Sequence, residues 1–309
     1  MKIVFLDALT IGAGSFAPIE ALGEFVAYGD STPQEALERV GDCDVLIVNK
    51  TKVPASLLDA APNLKLVCES GTGMNNIDVK ACEERGIKVR NVVGYSTDSV
   101  AQTTFMHILS LMGNAPYFDA AVKSGAYSRS KVLTDVFTPF IEMAGKTIGI
   151  IGMGAIGGRV AELAEAFKMK VLYYSTTGRK AAGKYESVSL EELLRRSDVV
   201  SIHAPMTEKT AGLIGKAELS KMKPTAFLVN MGRGGIVDEK ALANAVDEGS
   251  IAGAAIDVFV TEPLPEDHPY LHVSHPERLR FTPHIGWGSA EARARVVEGI
   301  AANISKGWD

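Results

Sequence analysis

A glycine-rich turn carries the strongest chemical signal in the sequence. Gly152, Gly154 and Gly157 form a GxGxxG pattern between an apolar strand and an alanine-rich helix. The first glycine permits a tight turn, the second lets the backbone approach a pyrophosphate, and the third lets helix and strand pack closely. Free amides at the start of the helix attract the same anion. This context predicts dinucleotide binding, and the alternative is a plain turn between a strand and a helix.

The residues after the next strand should select the dinucleotide. The strand KVLYY is followed by Ser175, Thr176, Arg179 and Lys180, with no carboxylate before Glu186. A carboxylate at this point would bond the ribose 2′-hydroxyl and favour NAD, whereas arginine and lysine accommodate a 2′-phosphate and favour NADP. The sequence therefore favours NADP over NAD, and the alternative is a basic turn that is simply solvated.

Three further polar residues stand at or just beyond the ends of later strands, where open α/β sheets bind their ligands. They are Arg233 in NMGRGGIVDE, Glu262 in DVFVTEP and His284 in FTPHIGWG. An arginine fork can hold a carboxylate at two points, and a histidine can donate or accept a proton near neutral pH. A carboxylate beside that histidine would favour the imidazolium and orient the ring. Taken singly, each residue has another interpretation: a loop cation, a solvated charge and a core histidine.

Other polar clusters give weaker signals. The turn from Ser70 to Gly73 follows a strand and could cradle an anion such as a carboxylate, or simply end the strand. His107 lies within an apolar helix. His268, His272 and His275 have a spacing that invites a metal-site interpretation, but no Cys or HExxH pattern supports it. We therefore predict no metal site.

The elements that must position these residues alternate between apolar strands and amphipathic helices, which predicts an α/β fold. The first half is predicted to contain strands over residues 2–6, 24–27, 44–49, 64–68 and 87–91. The second half is predicted to contain strands over residues 147–151, 170–174, 198–203, 226–230, 254–259 and 279–282. Six strands separated by helices are what a doubly wound nucleotide-binding sheet requires.

Three other segments have less regular patterns. The helix that begins near Ser99 is apolar on more than one face, so we expect it to be buried between domains or subunits. Residues 126–143 mix aromatic and polar side chains without a clear period, and we expect a packed connecting loop. Residues 289–308 have helical spacing and could complete either domain.

Composition limits the possible classes of function. A length of 309 residues suggests two domains. The formal net charge of −5, with both signs scattered, argues against nucleic-acid or anionic-membrane binding. Three widely spaced cysteines suggest neither a disulfide framework nor a cysteine metal site. The start, MKIVFLDALT, is too short and too soon charged for a signal peptide or a membrane span, so we expect a cytoplasmic protein.

With these residues in view, the chain resembles the D-isomer-specific 2-hydroxyacid dehydrogenases over nearly its full length. The matching segments are, in order, SGTGMNNID, GIKVRNVVGYSTDSVAQTT, GKTIGIIGMGAIG, VVSIHAPMTEKT, FLVNMGRGGIVDEKAL, GAAIDVFVTEP and TPHIGW. An ordered set of this kind is far more specific than any single motif. The resemblance implies a Rossmann doubly wound nucleotide domain, residues 99–286, inserted in a flavodoxin-like substrate domain of residues 1–98 and 287–309. The active site would then lie in the cleft between the domains.

The resemblance also implies roles for individual residues. Arg233 would bind the substrate and polarise its carbonyl, Glu262 would raise the proton affinity of the histidine, and His284 would be the acid and base. The amides of Thr72 and Gly73 would hold the substrate carboxylate. The cofactor contacts implied by the resemblance, the glycine pattern and the basic turn are Thr72, Thr104, Gly152, Gly154, Ala155, Ile156, Gly157, Ser175, Thr176, Arg179, Ala204, Met231 and Asp257.

Within the family, GYSTDSVAQ and the Trp of HIGW are most similar to the hydroxypyruvate reductase, or glycerate dehydrogenase, branch. This implies an NAD(P)-dependent oxidoreductase that reduces hydroxypyruvate or glyoxylate to a D-2-hydroxy acid. A D-lactate dehydrogenase or other 2-oxo acid reductase is the alternative enzyme, and a dinucleotide-sensing corepressor-like protein is the alternative of another class. The resemblance also implies a homodimer that packs across the helix near Ser99.

Two features depart from the family pattern. Ser175 stands where many members carry the Asp that selects NAD, which leaves the cofactor preference open. The sequence ends at Asp309 without the usual short C-terminal strand, and we expect this to loosen the substrate domain slightly.

Overall fold

The chain forms two compact units. The computed structural model describes residues 1–178 and 183–308. One unit comprises Met1–Ser96 and Trp287–Asp309, and the other comprises Thr97–Gly286. The predicted cofactor contact Arg179 and its neighbour Lys180 lie outside the described residues.

Within the described residues the elements alternate as an α/β fold requires. The strands are β1 (Lys2–Phe5), β2 (Glu24–Ala27), β3 (Val45–Val48), β4 (Leu66–Glu69), β5 (Lys88–Arg90), β6 (Thr147–Ile151), β7 (Lys170–Tyr174), β8 (Glu186–Ser187), β9 (Val199–Ile202), β10 (Phe227–Asn230), β11 (Gly253–Ile256) and β12 (Leu279–Phe281). The helices are α1 (Ala17–Glu20), α2 (Pro33–Val40), α3 (Ala55–Asp59), α4 (Val79–Glu84), α5 (Thr97–Met112), α6 (Ala115–Lys123), α7 (Ala155–Ala166), α8 (Leu190–Arg196), α9 (Lys216–Leu219), α10 (Glu239–Asp247) and α11 (Ala290–Ser305). Short 3₁₀ turns occur at Ala8–Ile11, Tyr127–Arg129, Pro269–Leu271 and Pro276–Arg278.

The first unit is a parallel sheet in the flavodoxin-like order β2-β1-β3-β4-β5. Successive residues of β3 alternate between two cores, as the pleat of a strand requires. Val45 and Ile47 pack with α11 on one face, and Leu46 and Val48 pack with α2, α3 and α4 on the other. Because both faces are covered, the central strands are apolar throughout.

The second unit is a parallel sheet in the order β12-β11-β10-β9-β6-β7-β8 over the described residues. Its order reverses between β9 and β6, which is the doubly wound arrangement of the Rossmann fold. Helices α8, α9 and α10 bury leucines against one face, whereas α5 and α7 pack against the other. The predicted α/β class with these two sheet types is confirmed. The two-residue edge strand β8 was not predicted, because so short a segment has no visible period.

Helix starts follow the sequence closely. Thr32 caps α2 in a capping box with Glu35, and Asp78, Ser189 and Asp238 accept from the third amide of their helices. Ser289 does the same for α11. Each cap satisfies a free amide in the first turn of its helix.

Residues 126–143 differ from the packed loop that we expected. Leu133 is 91% exposed, Phe137 81% and Phe140 66%. The segment is tied to α6 by the Tyr117–Asp135 hydrogen bond and to α5 by the Ile141–Met112 backbone bond, but these large apolar side chains stay exposed. That prediction is wrong. Over the described residues, no helix is both long and apolar enough to cross a membrane.

Candidate active site

The glycine turn has the geometry that a pyrophosphate needs. Gly152 follows β6 with φ of +93°, a conformation that favours glycine. A Cβ at Gly157 would lie 2.2 Å from the carbonyl oxygen of Gly152, whereas a Cβ at Gly154 would meet nothing within 4 Å. The third glycine is therefore required by packing, and the second leaves open space beside the start of α7. Ala155 and Ile156 form the first turn of α7, and within the described residues no side chain caps it at Gly154. These residues fit a dinucleotide.

The other predicted cofactor residues of this unit lie mostly at the same edge of the sheet. Ser175 and Thr176 follow β7 and are half-buried, and Ala204 follows β9. The backbone of Ala204 lies against Gly152, since a Cβ added to Gly152 would be 2.9 Å from the Ala204 nitrogen. Met231 follows β10 and is buried. The carboxyl ends of neighbouring parallel strands thus bring residues distant in sequence to one edge.

Asp257 holds the loop that carries the histidine. It follows β11, is 2% exposed, and accepts hydrogen bonds from the Thr282 hydroxyl at 2.5 Å and from the amides of Ile285 and Gly286 at 2.9 Å each. Its carbonyl accepts from the His284 amide at 2.8 Å. The residue predicted to contact the cofactor therefore also fixes residues 282–286.

His284 and Glu262 form a hydrogen-bonded pair. The Nδ1 atom of His284 lies 2.7 Å from Oε2 of Glu262, and the side chains are 23% and 29% exposed. The other oxygen of Glu262 accepts from the Phe259 amide at 3.0 Å. His284 has φ of +54°, a conformation that costs a non-glycine residue about 1 kcal/mol or more. Asp257 holds the backbone in this conformation.

Arg233 is presented by a short turn after β10. The buried side chain of Asn230 donates to the Arg233 carbonyl at 3.0 Å and accepts from the Gly232 amide at 3.1 Å. Within the described residues the guanidinium has no carboxylate partner, and it donates from Nη1 to the Gly232 carbonyl at 2.8 Å. The side chain is exposed, so its fork is available to an anion.

Thr104 is placed differently from the strand-end residues. It is fully buried in α5, where its hydroxyl donates to the Val100 carbonyl at 2.7 Å. The hydroxyl is thus bonded within its own helix, and its predicted contact with the cofactor stays a prediction.

Thr72 and Gly73 belong to the first unit, in the turn after β4. The Thr72 hydroxyl donates to the Val92 carbonyl at 3.0 Å, and the Thr72 carbonyl accepts from Asn91 at 2.7 Å. The amides of Thr72 and Gly73 make no hydrogen bond within residues 1–178 and 183–308. A turn held from behind with free amides is suited to an anion.

Two buried carboxyl groups hold the chain next to that turn. Asp7, at 2% exposure, accepts from the amides of Asn49, Lys50 and Thr51 at 2.6 to 2.9 Å. Glu69 ends β4, is also 2% exposed, and accepts from the side-chain nitrogen Nδ2 of Asn76 at 3.0 Å. Burial raises the pKa of Glu69 to about 8, with the Asn76 hydrogen bond opposing the rise and the Asp7 carboxylate adding to it.

The raised pKa of Glu69 predicts an alkaline loss of stability. An unfolded Glu has a pKa of about 4.3, so between that pH and about 8 the folded chain holds a proton that the unfolded chain has released. Stability therefore falls as pH rises through this window, by at most about 1.4 kcal/mol per pH unit, and levels off above it. We expect Glu69→Gln to raise Tm relative to the parent protein at pH 9 and much less at pH 5. Thermal unfolding from pH 5 to 9 measures this.

The exposed Glu24 of β2 supplies the control. The difference in Tm between Glu24→Gln and the parent protein should stay constant over the same pH range. Parallel curves for Glu69→Gln and the parent protein would show that Glu69 is ionised throughout in the folded state.

Two supporting residues, His107 and Asn230, had no role predicted from the sequence. His107 donates from Nε2 to the Thr282 hydroxyl at 2.9 Å, because that hydroxyl donates its own proton to Asp257. Burial lowers the pKa of His107, which keeps it neutral for this role. Asn230 orients the Arg233 turn as described above. Each is a polar residue in an otherwise apolar helix or strand, and this was the signal available in the sequence. Residue spacing could not identify the hydrogen-bond partners of either.

Known proteins are similar to this chain over most of its length. The sequence pattern of the "D-isomer specific 2-hydroxyacid dehydrogenase, NAD binding domain" matches residues 105–286. A hydroxypyruvate reductase of Blautia hydrogenotrophica is 34% identical, over 98% of this chain and 95% of that protein. A glyoxylate reductase of Korarchaeum cryptofilum is 40% identical, over 93% of this chain and 87% of that protein. The solved structure of an acyclic imino acid reductase with NADPH and D-Arg is 30% identical with a TM-score of 0.87, over 99% of this chain and 96% of that chain.

The fold and the sheet edge define an oxidoreductase that uses a nicotinamide dinucleotide. The chain belongs to the D-isomer-specific 2-hydroxyacid dehydrogenase family. The family resemblance seen in the motifs, the enzyme class and the use of a nicotinamide cofactor are thus confirmed. The assignments of individual residues stay predictions.

Proposed function

We propose that the protein reduces a small 2-oxo acid, hydroxypyruvate or glyoxylate, to the D-2-hydroxy acid. The observation that carries this proposal is the 2.7 Å pair between His284 and Glu262 at the carboxyl edge of a Rossmann sheet. The hydroxypyruvate and glyoxylate reductases that match nearly the whole chain support the choice of substrate.

The residues divide the chemistry between them. The bound cofactor supplies the hydride that reduces the 2-oxo carbon. Glu262 accepts a hydrogen bond from Nδ1–H of His284, and Nε2–H is left to donate its proton to the carbonyl oxygen. A carboxylate in this position stabilises the imidazolium before the transfer and orients the ring. Arg233 binds the substrate and stabilises the negative charge that develops on the oxygen.

Thr72 and Gly73 are proposed to hold the substrate carboxylate. Their free amides support this role, as does the rigid support that the turn receives from Asn91 and Val92. Backbone amides suit the task because they bind a carboxylate without adding a charge that must be neutralised when the substrate is absent.

We propose NADP(H) as the preferred cofactor. Ser175 stands at the end of β7, where a carboxylate would repel a 2′-phosphate. The nearest later carboxylate, Glu186, is bound by both terminal nitrogens of Arg196 at 2.9 and 2.8 Å, and this ion pair lowers its pKa. The similar imino acid reductase was solved with NADPH. The role of Arg179 in binding the phosphate stays a prediction from the sequence.

Initial rates with three substrates and two cofactors test these proposals together. We expect reduced-cofactor consumption to be fastest with hydroxypyruvate or glyoxylate and NADPH. Fastest turnover with pyruvate would favour a D-lactate dehydrogenase. A preference for NADH would indicate that the turn after Ser175 is solvated and does not bind a 2′-phosphate. Tight cofactor binding without turnover of any substrate would favour a sensor protein.

We propose that the protein is a homodimer. In α5, Met106 is 47% and Leu109 42% exposed although the opposite face of the helix is buried. Exposed apolar side chains also follow along residues 132–140. Exposed large apolar side chains are typical of an interface, and a twofold dimer is the commonest assembly. Light scattering at micromolar concentration should give about twice the chain mass of 32.9 kDa. A mass near that of one chain would contradict the proposal.

We also propose a cytoplasmic location. Cys43, Cys68 and Cys82 are free and buried. Burial raises the pKa of Cys43 and Cys68 to about 12, so these thiols remain protonated and unreactive. Unpaired cysteines are usual in reducing compartments.

A further inference from the structure

A second pair of a histidine and a carboxylate lies behind the first. His268 Nε2 is 2.9 Å from Oε2 of Glu239, and the side chains are only 8% and 15% exposed. Neither residue has a role in the function proposed above. We propose that Glu239 and His268 are positioning residues that fix the loop carrying Glu262, and so set how strongly Glu262 supports His284. This inference rests on the proposed roles of Glu262 and His284.

Two adjacent backbone amides of this loop are bound by carboxylates. Oε1 of Glu239 accepts from the Val260 amide at 3.0 Å, and Oε1 of Glu262 accepts from the neighbouring Phe259 amide at 3.0 Å. The backbone of residues 259 and 260 is thus held by two carboxylates, one from α10 and one from its own loop. Movement of Val260 would move Phe259, and with it the anchor of Glu262.

His268 holds the other arm of the loop. The His268 amide donates to the Pro265 carbonyl at 3.1 Å, so the residue that binds Glu239 also holds the chain just after Glu262. The Phe259 ring packs edge-on to the His268 ring, with centroids 6.4 Å apart. Glu239 and His268 therefore hold both arms of a loop of seven residues, from 259 to 265.

The hydrogen bonds of the His268 ring determine which of its nitrogens carries the proton. The Tyr270 amide donates to Nδ1 of His268 at 3.3 Å, so Nδ1 must carry a lone pair. The proton then lies on Nε2 and is donated to Glu239. His268 is assigned as the neutral Nε2–H tautomer, and the pair is a hydrogen bond between a neutral imidazole and a carboxylate. The low exposure of both side chains strengthens this hydrogen bond. Both ring nitrogens of His268 are bonded, which fixes the orientation of the imidazole.

The tautomer determines which substitutions should matter. In Glu239→Gln the new amide can accept from Val260 or from His268 but not from both, because its nitrogen is a donor. We expect kcat to fall by about tenfold. In His268→Gln the new amide can donate to Glu239 and accept from Tyr270, so we expect activity near that of the parent protein. His268→Leu removes both contacts and should match Glu239→Gln.

The control must weaken α10 without disturbing the loop. Asp238 caps α10 by accepting from the Ala241 amide at 2.9 Å, and it adjoins Glu239 in sequence. Asp238→Ala should lower Tm at least as much as Glu239→Gln and leave kcat unchanged. Equal losses of kcat in the two variants would assign Glu239 to helix stability alone and overturn the proposal.

The decisive readout is the pH profile of kcat/KM for reduction, which a merely structural role would not move. Reduction needs protonated His284, so activity falls on the alkaline side as the imidazole loses its proton. A misplaced Glu262 stabilises the imidazolium less, and the midpoint of this fall should move to lower pH in Glu239→Gln and His268→Leu. It should stay in place in His268→Gln and Asp238→Ala. An unmoved midpoint in Glu239→Gln would overturn the proposal.

Proton–nitrogen NMR of the six histidines gives a test that needs no substrate. The signal that His268→Gln removes should have the pattern of a neutral Nε2–H imidazole, and the His284 signal should change in Glu239→Gln. A protonated His268 at neutral pH would overturn the tautomer and the predicted tolerance of His268→Gln. If the parent protein reduces no 2-oxo acid but these signals behave as expected, the proposed function fails and the positioning role stands.

Discussion

Replacing His284 with glutamine is expected to lower kcat for reduction by about a thousandfold, the usual contribution of a positioned acid. The variant keeps a polar side chain of similar reach, but an amide cannot give up a proton to the carbonyl oxygen. The dissociation constant of the reduced cofactor should change by less than about twofold, because the transfer of a proton comes after binding. Steady-state rates and fluorescence titration of the cofactor measure the two quantities separately.

His272 offers a matched control. It is exposed in the loop after the Pro269–Leu271 turn, and its Nε2 contacts the Glu266 carbonyl at 3.0 Å. His272→Gln should leave both kcat and cofactor affinity unchanged. A kcat for His284→Gln within about tenfold of the parent value would rule out His284 as the proton donor, and the 2.7 Å pair with Glu262 would then be a structural contact.

Most of the fold could be predicted because parallel strands covered on both faces are apolar runs with clear ends. The segments VLIV of β3 and FLVN of β10 are buried throughout, and each was predicted within two residues. The order of the strands followed from the doubly wound rule and not from the strands themselves. Residues 126–143 were predicted wrongly because aromatic residues suggest burial, whereas Phe137 and Phe140 are exposed.

The candidate site was predictable to the extent that it lies at strand ends. Chain order and the rule for open sheets place Arg233, Glu262 and His284 near one edge, and the structure brings two of them into contact. The supports could not be predicted in the same way. The bond from Glu239 to Val260 spans 21 residues and that from Asp257 to Gly286 spans 29. Such pairs depend on the register of helices and loops after packing, which no local spacing records.

The positive φ of His284 could not be predicted from local sequence either. The sequence FTPHIGWG gives no sign that a histidine, flanked by no glycine, adopts a left-handed conformation. The conformation persists because Asp257 accepts from the amides at positions 284, 285 and 286, through its carbonyl and its carboxylate. The cost of the conformation is thus offset by a buried acid from a different strand, and it turns Nδ1 of His284 toward Glu262.

Truncation of Arg233 is expected to have an effect as large as that of His284. Arg233→Ala should lower kcat/KM by about ten-thousandfold, through a higher KM for the 2-oxo acid and a lower kcat, because one fork binds the substrate and stabilises the oxyanion. Arg233→Lys keeps the charge and loses the fork, so we expect a loss of about a hundredfold. The Asn230 contacts involve backbone atoms of the turn and should survive both changes.

Added guanidinium ion distinguishes a direct role from a positioning role. Because the Arg233 side chain is exposed and within the described residues has no carboxylate partner, its removal leaves a space that solvent can enter. Millimolar guanidinium should therefore restore part of kcat in Arg233→Ala and none in His284→Gln, since only the first variant lacks a cation. Arg195, an exposed arginine of α8, supplies the control, and Arg195→Ala should be fully active. Lost cofactor affinity in Arg233→Ala, without recovery by guanidinium, would instead place the Arg233 charge on the cofactor phosphates.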